Sequence, residues 1–401
     1  MRRFVCAALA ASILKIFIAL YTVGTNDSLT WDHDMAKLRT EGFSQLYRQG
    51  VQYPSPSGWV YPRQEFIHPP AMVNGLRGLG ALQDATGLPL RFWLRLTCTL
   101  ADLGTLVVVW MKFGATRDAS LVTLMALCPI SILISGFHAN TDPIMVFFLV
   151  AAVFLLERRR VAWAGIMFGI AASVKLVPIL VIPAILLALP SLRDRLRWTS
   201  IAAVTWIALS MPYLAEDPIL ILRRIFGYGS ATGLWGFYML ASLFKGTALS
   251  FLYDAYAPAA KWIALLAVAA LPVATKVLRV RLCLFEQCGM IIFLFLFLSP
   301  GFGVQYLAWT VPWLVVLGLG PMAGYYVVAG ACIFSLYVAA SGGIGVNAYA
   351  DSFHVSMAMR IFIRLVCWLA IGTITMLYAR LAWPSSWHSK ENVAGKNELN
   401  G

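Results

Sequence analysis

Residues 2–34 read RRFVCAALAASILKIFIALYTVGTNDSLTWDHD. The stretch opens as an apolar run of the length that crosses a bilayer, about 20 residues. It ends as a polar cluster holding Asp27, Asp32, His33 and Asp34. A span that delivers three carboxylates and a histidine to one membrane surface poses a question of chemistry as well as of fold. The polar character continues to about Arg91, and nearly everything downstream is hydrophobic.

Composition fixes the class. Of the 401 residues, 60% are hydrophobic and only 12% are charged, against about 25% charged in soluble domains. The expected fold is all-α, a polytopic integral membrane protein of about twelve transmembrane helices, with amphipathic interfacial helices in the first outer loop. Apolar runs of suitable length place spans near 4–22, 92–111, 119–137, 141–157, 161–174, 176–190, 199–215, 258–275, 283–298, 304–320, 322–340 and 360–379. The stretch 161–190 reads as two short helices broken around Lys175 and Pro178. Arg2 and Arg3 before an apolar run also resemble a signal peptide. The length of that run and Lys15 within it favour an uncleaved span.

Basic residues set the expected orientation. Arg2/Arg3, Lys112/Arg117, Arg158–Arg160, Arg193/Arg195/Arg197 and Lys276/Arg279/Arg281 fall on alternate connections. They share the cytoplasmic side if both termini are cytoplasmic. The net charge of +13 is largely this bias, and no basic run with interleaved aromatics points to nucleic acid. The outer side then receives the loop 23–91, the turn 138–141, the loop 216–257, the turn 299–303 and the loop 341–358. Seven cysteines lie in apolar segments, an odd number without metal-binding spacing, which argues against a disulfide framework. No internal repeat of the transporter kind is present.

Five groups of residues stand out. In the first, Trp31, Met35, Leu38, Phe43 and Leu46 fit one amphipathic helix from Leu29 to about Leu46. Asp27 or Ser28 would cap it, or Asp27 is free for chemistry with Asp32 and Asp34. The second is Phe66-Ile67-His68-Pro69-Pro70, where two prolines fix a turn beside His68. The third is Gly136-Phe137-His138-Ala139-Asn140-Thr141-Asp142-Pro143. Asn140 or Thr141 can cap the next helix, and capping explains Asp142 but not His138. In the fourth, Ser299-Pro300-Gly301-Phe302-Gly303-Val304-Gln305-Tyr306, Gln305 brings an amide to a helix entrance. The fifth is intramembrane charge, which costs about 2.5–3.5 kcal/mol per residue on insertion scales unless paired. Lys15, Asp102 and Lys175 qualify. At 1.5 Å per residue Lys15 and Asp102 lie at roughly 17 and 15 Å from the cytoplasmic side. An ion pair between the first two spans is expected, the alternative being Lys15 on a lipid phosphate with Asp102 protonated. Lys175 either binds an anion or snorkels to the headgroups.

These motifs, with Gly24-Thr25-Asn26-Asp27, Gly42 and Leu46-Tyr47, and Ser173-Val174-Lys175-Leu176-Val177-Pro178, resemble the GT-C superfamily of membrane glycosyltransferases. In particular they resemble bacterial family 87-type mannosyltransferases that depend on polyprenyl-phosphate mannose. The resemblance covers about residues 1–313 and implies a catalytic module there, including the outer loop 23–91. Additional helices would occupy 314–380 and a disordered cytoplasmic tail 381–401. It implies an inverting transfer of a sugar, mannose foremost, from a polyprenyl-phosphate donor to a lipid- or glycan-linked acceptor. The site would face the periplasm or lumen, at a bacterial inner membrane. Asp27 matches the family's general base. Asp32, Asp34, His68, His138, Asn140, Asp142, Gln305 and Tyr306 are candidates for substrate binding, and Lys175, Arg223 and Arg224 for the donor phosphate. No cofactor or metal is implied. The rival classes are a lipid-linked glycan transporter or flippase, another lipid-dependent transferase such as a polymer ligase or acyltransferase, and a scaffold. The one-sided crowding of polar residues favours the glycosyltransferase.

Overall fold

The computed structural model describes residues 2–53, 63–114, 119–227, 235–341 and 356–382. The expected outer loop 341–358 and tail 381–401 fall almost wholly outside them. Among the described residues every regular element is helical, and Val51–Gln64 forms an isolated extended bridge. Six helical stretches among the described residues are long and apolar enough to cross a membrane: Arg2–Tyr21, Leu90–Phe113, Ala119–His138, Ser250–Val277, Leu319–Val338 and Ala358–Ala382. The protein is a multi-pass integral membrane protein. Its outward faces fit that solvent. Leu9, Ile13 and Phe17 on the first helix, Trp262 and Leu266 on Ser250–Val277, and Phe362, Leu369 and Met376 on the last are exposed large apolar side chains.

The chain begins with α1 (Arg2–Tyr21), α2 (Asn26–Thr40), α3 (Gly42–Gln49), α4 (Ala71–Thr86) and α5 (Leu90–Phe113). The single helix expected over 29–46 is two helices. Gly42 takes a left-handed φ of +81°, which ends α2 and re-aims α3. The expected cap is also corrected. Thr25 caps α2, its hydroxyl accepting from Asp27 N at 3.3 Å, so the Asp27 carboxyl is left for other partners. Trp31, Met35 and Leu38 form the buried stripe of α2.

Next come α6 (Ala119–Ala126), α7 (Pro129–Leu133) and a π-helical turn Ile134–His138, and the tight turn expected at 138–141 follows before the chain re-enters helix at Asp142. α8 (Asp142–Glu157), α9 (Val161–Val174), a 3-10 turn Val177–Val181, α10 (Ile182–Ala188) and α11 (Leu192–Leu214) follow. α9 packs between α8 and α11, and α8 packs on α5. Neither Asn140 nor Thr141 caps α8 through its side chain. α12 (Pro218–Phe226), α13 (Gly236–Ser242), α14 (Ser250–Val277), α15 (Leu284–Leu298), α16 (Leu319–Ser341) and α17 (Met357–Ala382) complete the order. The span expected over 304–320 is a 3-10 helix, Val304–Leu317, with Pro312 inside it. Proline removes an α-helical hydrogen bond. At about 2 Å rise per residue, 14 residues wound this way reach roughly 28 Å, close to the bilayer's apolar thickness of about 30 Å.

The body of the fold holds its charges in pairs. Lys15 Nζ donates to Asp102 Oδ2 at 2.6 Å and to Ser131 Oγ at 2.7 Å, and Ser131 and Ser135 donate to the same carboxylate oxygen at 2.6 and 2.5 Å. The Lys15 side chain is 4% exposed and that of Asp102 17%. This cluster joins α1, α5 and the α7 segment at one depth. Lys15→Met leaves the carboxylate with hydroxyl partners alone and is expected to destabilise by about 3–5 kcal/mol. Lys15→Met combined with Asp102→Leu should cost much less. A double-mutant cycle on thermal stability checks this, and additive losses would mean that the two side chains do not interact.

Candidate active site

Asp27 stands in the first turn of α2, and the route of the chain before it is fixed by Arg95. Gly24 turns at φ +93°, and a Cβ there would meet Arg95 Nη2 at 1.7 Å. Only glycine admits both that backbone and that neighbour. The buried guanidinium donates to the carbonyls of Thr22 at 2.8 Å and Val23 at 2.6 Å, and to Ser28 Oγ at 3.1 Å. A cation satisfying the last carbonyls of a helix suits both their hydrogen bonding and their dipole.

The segment His138–Asn140 faces Asp27 and is clamped by three contacts, two from α2 with its cap and one from α5. Thr25 Oγ1 donates to His138 O at 3.0 Å, Trp31 Nε1 to Ala139 O at 3.0 Å, and Cys98 Sγ to Asn140 O at 3.0 Å. Ala139 sits at φ +62°, a left-handed conformation that costs a residue with a Cβ. Together with the π turn before it, this marks a backbone held to a purpose. Its outcome is that two side chains converge on one oxygen. Asp27 Oδ2 lies 3.0 Å from His138 Nε2 and accepts from Asn140 Nδ2 at 2.7 Å. Tyr337 OH lies 2.7 Å from His138 Nδ1. With Asp27 ionised, the hydrogen belongs on Nε2, and the tyrosine hydroxyl donates to Nδ1. Among the described residues Asp27 Oδ1 has no hydrogen bond.

Burial pushes the Asp27 carboxyl up, but His138, Asn140 and Lys175 together outweigh it and hold the group below its ordinary value of 3.8. The carboxylate is therefore ionised throughout the neutral range, at some cost in basicity. Lys175 emerges from the end of α9 and turns inward. Its ammonium donates to Asp142 at 2.8 and 2.9 Å and to Asn140 Oδ1 at 3.4 Å. Asp142 is fully buried and also accepts from Trp309 Nε1. Lys175 thus does not snorkel, and Asn140 links the cation to the Asp27 carboxylate.

These groups open onto a cavity of about 390 Å³ bounded by Asp27, Trp31, Asp34, His68, Asn140, Lys175, Gln305 and Tyr306 among others. His138 and Asp142 stand behind its wall. Asp32 does not border it and meets Arg91 at 3.6 Å instead. A larger cavity of about 650 Å³ shares Gln64, Glu65 and Ile67 with the first and carries Arg223 and Arg224. Arg224 is engaged there by Glu65 and by the carbonyls of Tyr47 and Arg48. Lys15 and Asp102 form the separate cluster described above. Among the described residues no group of three His, Cys, Asp or Glu side chains stands ready for a metal ion.

Two further carboxylate and imidazole states follow from burial. Burial pushes the His68 imidazole down to about 3, with the Lys175 charge adding to it, so the ring is neutral as it packs 4.7 Å from Trp31. Burial pushes the Asp34 carboxyl up to about 8.

Reading the sequence did not single out Arg95, Tyr337, Ser131 or Ser135. Arg95 could have been found as a charge within an apolar run. Tyr337 carries no local signal.

The profile of a family described as ALG3 protein matches residues 103–231, about a third of the chain. The chain is similar to membrane mannosyltransferases. The matched segment contains His138, Asn140, Asp142 and Lys175, and it begins beyond Asp27. It supports an enzyme, a membrane glycosyltransferase that takes mannose from a lipid-linked donor. No curated protein matches the chain.

Two outcomes test the electrostatics. The acid limb of kcat/KM due to Asp27 should lie below pH 3.8, because activity is lost only as pH falls through the lowered value. His138→Phe removes the larger opposing influence while burial persists, so the limb should move upward in a pH–rate profile. For Asp34 the sign is opposite. A raised folded value favours folding most below 3.8, and that contribution is lost as pH rises to about 8. Asp34→Asn does not titrate, so its thermal midpoint should gain on the wild type across this window and then run parallel.

Proposed function

We propose that the protein transfers mannose, with inversion, from a polyprenyl-phosphate mannose to a hydroxyl of a lipid- or glycan-linked acceptor. The acceptor hydroxyl lies against Asp27 Oδ1. Its oxygen attacks the anomeric carbon as the bond to phosphate breaks, the bond pair leaves with the phosphate, and the proton passes to Asp27. The observation that carries this reading is a carboxylate bordering a cavity, fixed through one oxygen by His138 and Asn140, its other oxygen without a hydrogen bond among the described residues. A base must be both ionised and aimed.

The donor's lipid has a route of its own. An apolar groove bounded by Pro69, Leu176, Val177, Ile225 and Trp309 adjoins the cavity, and Ile67, His68, Lys175 and Tyr306 border both. A polyprenyl chain in the groove puts its phosphate at the junction, beside the Lys175 ammonium. That charge offsets the charge developing on the leaving group, shared with Asp142 as it is. Arg223, on the neighbouring cavity, is the second candidate for the phosphate. In this reading the chain has the GT-C fold with about twelve crossings. Its basic connections and both termini are cytoplasmic, and the site opens to the periplasm of a bacterial inner membrane.

The test is mannose transfer from a radiolabelled polyprenyl-phosphate mannose by purified protein in detergent. Asp27→Asn preserves shape and the Asn140 contact, and should reduce turnover by about 10²–10⁴-fold with donor binding retained. Near-normal transfer by this variant would remove Asp27 from the role.

A further inference from the structure

Asp34 is a feature of the cavity that neither packing nor the proposed chemistry explains. It is 4% exposed, it borders the cavity, and among the described residues its carboxyl makes no hydrogen bond or ion pair. A buried carboxyl without a partner is costly, and the great majority of buried polar groups are paired. Its companions on the buried stripe of α2 are Trp31, Met35 and Leu38, so an apolar residue at position 34 would suit the fold better. Retaining an acid there has the mark of stability given up for binding.

Its position relative to Asp27 gives the partner a size. Seven residues of helix bring a side chain back to nearly the same face and advance it by about 10.5 Å. Two hydrogen bonds of about 2.7–3.0 Å with a pyranose ring of roughly 5 Å between them span the same distance. Trp31 lies between the two acids and lines the same cavity, an apolar floor for the ring. α2 supplies Asp27, Thr30, Trp31 and Asp34 to this cavity and no residue to the apolar groove. The donor's lipid and phosphate belong to the groove side, so the α2 wall is the acceptor's.

We infer that Asp34 reads the acceptor, hydrogen-bonding a sugar hydroxyl two helical turns away from the hydroxyl that Asp27 deprotonates. This rests on the transferase reading above. Among the described residues the other titratable groups around the cavity are Asp27, Glu65, His68, Lys175 and Tyr306. Burial dominates at Asp34 itself, so near neutrality the group offers an O–H donor as well as an acceptor oxygen. A site built around such a group rejects an analogue that lacks the matching hydroxyl.

The experiment uses the full-length protein, polyprenyl-phosphate mannose carrying tritiated mannose, and octyl α-mannoside as acceptor beside its monodeoxy analogues. In the wild type one deoxy analogue should be discriminated against by about tenfold or more. Asp34→Leu should raise the KM for octyl α-mannoside by a similar factor and abolish that discrimination. Its donor KM should stay within about twofold, and its thermal midpoint should equal or exceed that of the wild type. Asp34→Asn, which keeps a donor and an acceptor atom, should recover part of the selectivity. Transfer by the wild type with an unchanged acceptor KM and selectivity in Asp34→Leu overturns this inference alone. So does a lowered thermal midpoint without a change in KM, which would make Asp34 a structural residue. No transfer by the wild type overturns the transferase reading and this inference with it.

Discussion

The guanidinium of Arg95, carried on α5, ties the end of α1 to the start of α2. It takes the carbonyls that α1 cannot satisfy within itself and, through Ser28, the first turn of the helix that bears Asp27. Position 24 must be glycine to let that group pass. Without this tie, the Thr22 and Val23 carbonyls at an apolar boundary would lose this donor and α2 would have no fixed origin. The contacts of Thr25 and Trp31 with the His138–Asn140 backbone follow from the placement it imposes. One buried cation therefore positions a carboxylate that it does not touch.

The rest of the interior obeys the same economy of charge. Lys15 meets Asp102, Lys175 meets Asp142, and Lys112 meets Glu157, whose other oxygen accepts from Phe285 N. In each pair the partners come from different segments of the fold, so pairing removes most of the insertion cost and also sets how those segments align. Asp34 departs from this pattern. It lies on the cavity wall rather than between helices, where a ligand can supply the partner that the protein withholds.

The cavity combines three environments within a few residues of one another. Asp27 is held ionised by its hydrogen bonds, Asp34 is held neutral by burial, and His68 is held neutral between Trp31 and Phe66. Groups of the same chemical type are driven in opposite directions by what surrounds them, the usual way in which one pocket comes to hold separate roles. The adjoining apolar groove meets this polar chamber at Lys175 and Tyr306, a junction suited to a molecule that is a lipid at one end and a sugar at the other.

The sequence by itself determined that the chain lives in a membrane, because 60% apolar residues arranged in span-length runs leave no soluble alternative. It also exposed the polar motifs, because a charge or histidine in such a background stands out. Depth along a helix follows from counting residues, so Lys15 and Asp102 could be set at one level before their contact was seen. The break at Gly42 was harder to read, since the hydrophobic pattern runs on across it. Whether an acid is a cap or a base was not legible either, because Thr25, Asp27 and Ser28 are all competent caps and only the backbone geometry selects Thr25. The tertiary structure alone decided that Asp27 meets His138 and Asn140, that Lys175 turns inward to Asp142, and that Tyr337, about 200 residues from His138, completes the chain of contacts. Such contacts join segments far apart in sequence, and no local periodicity encodes which helix face a distant side chain will meet.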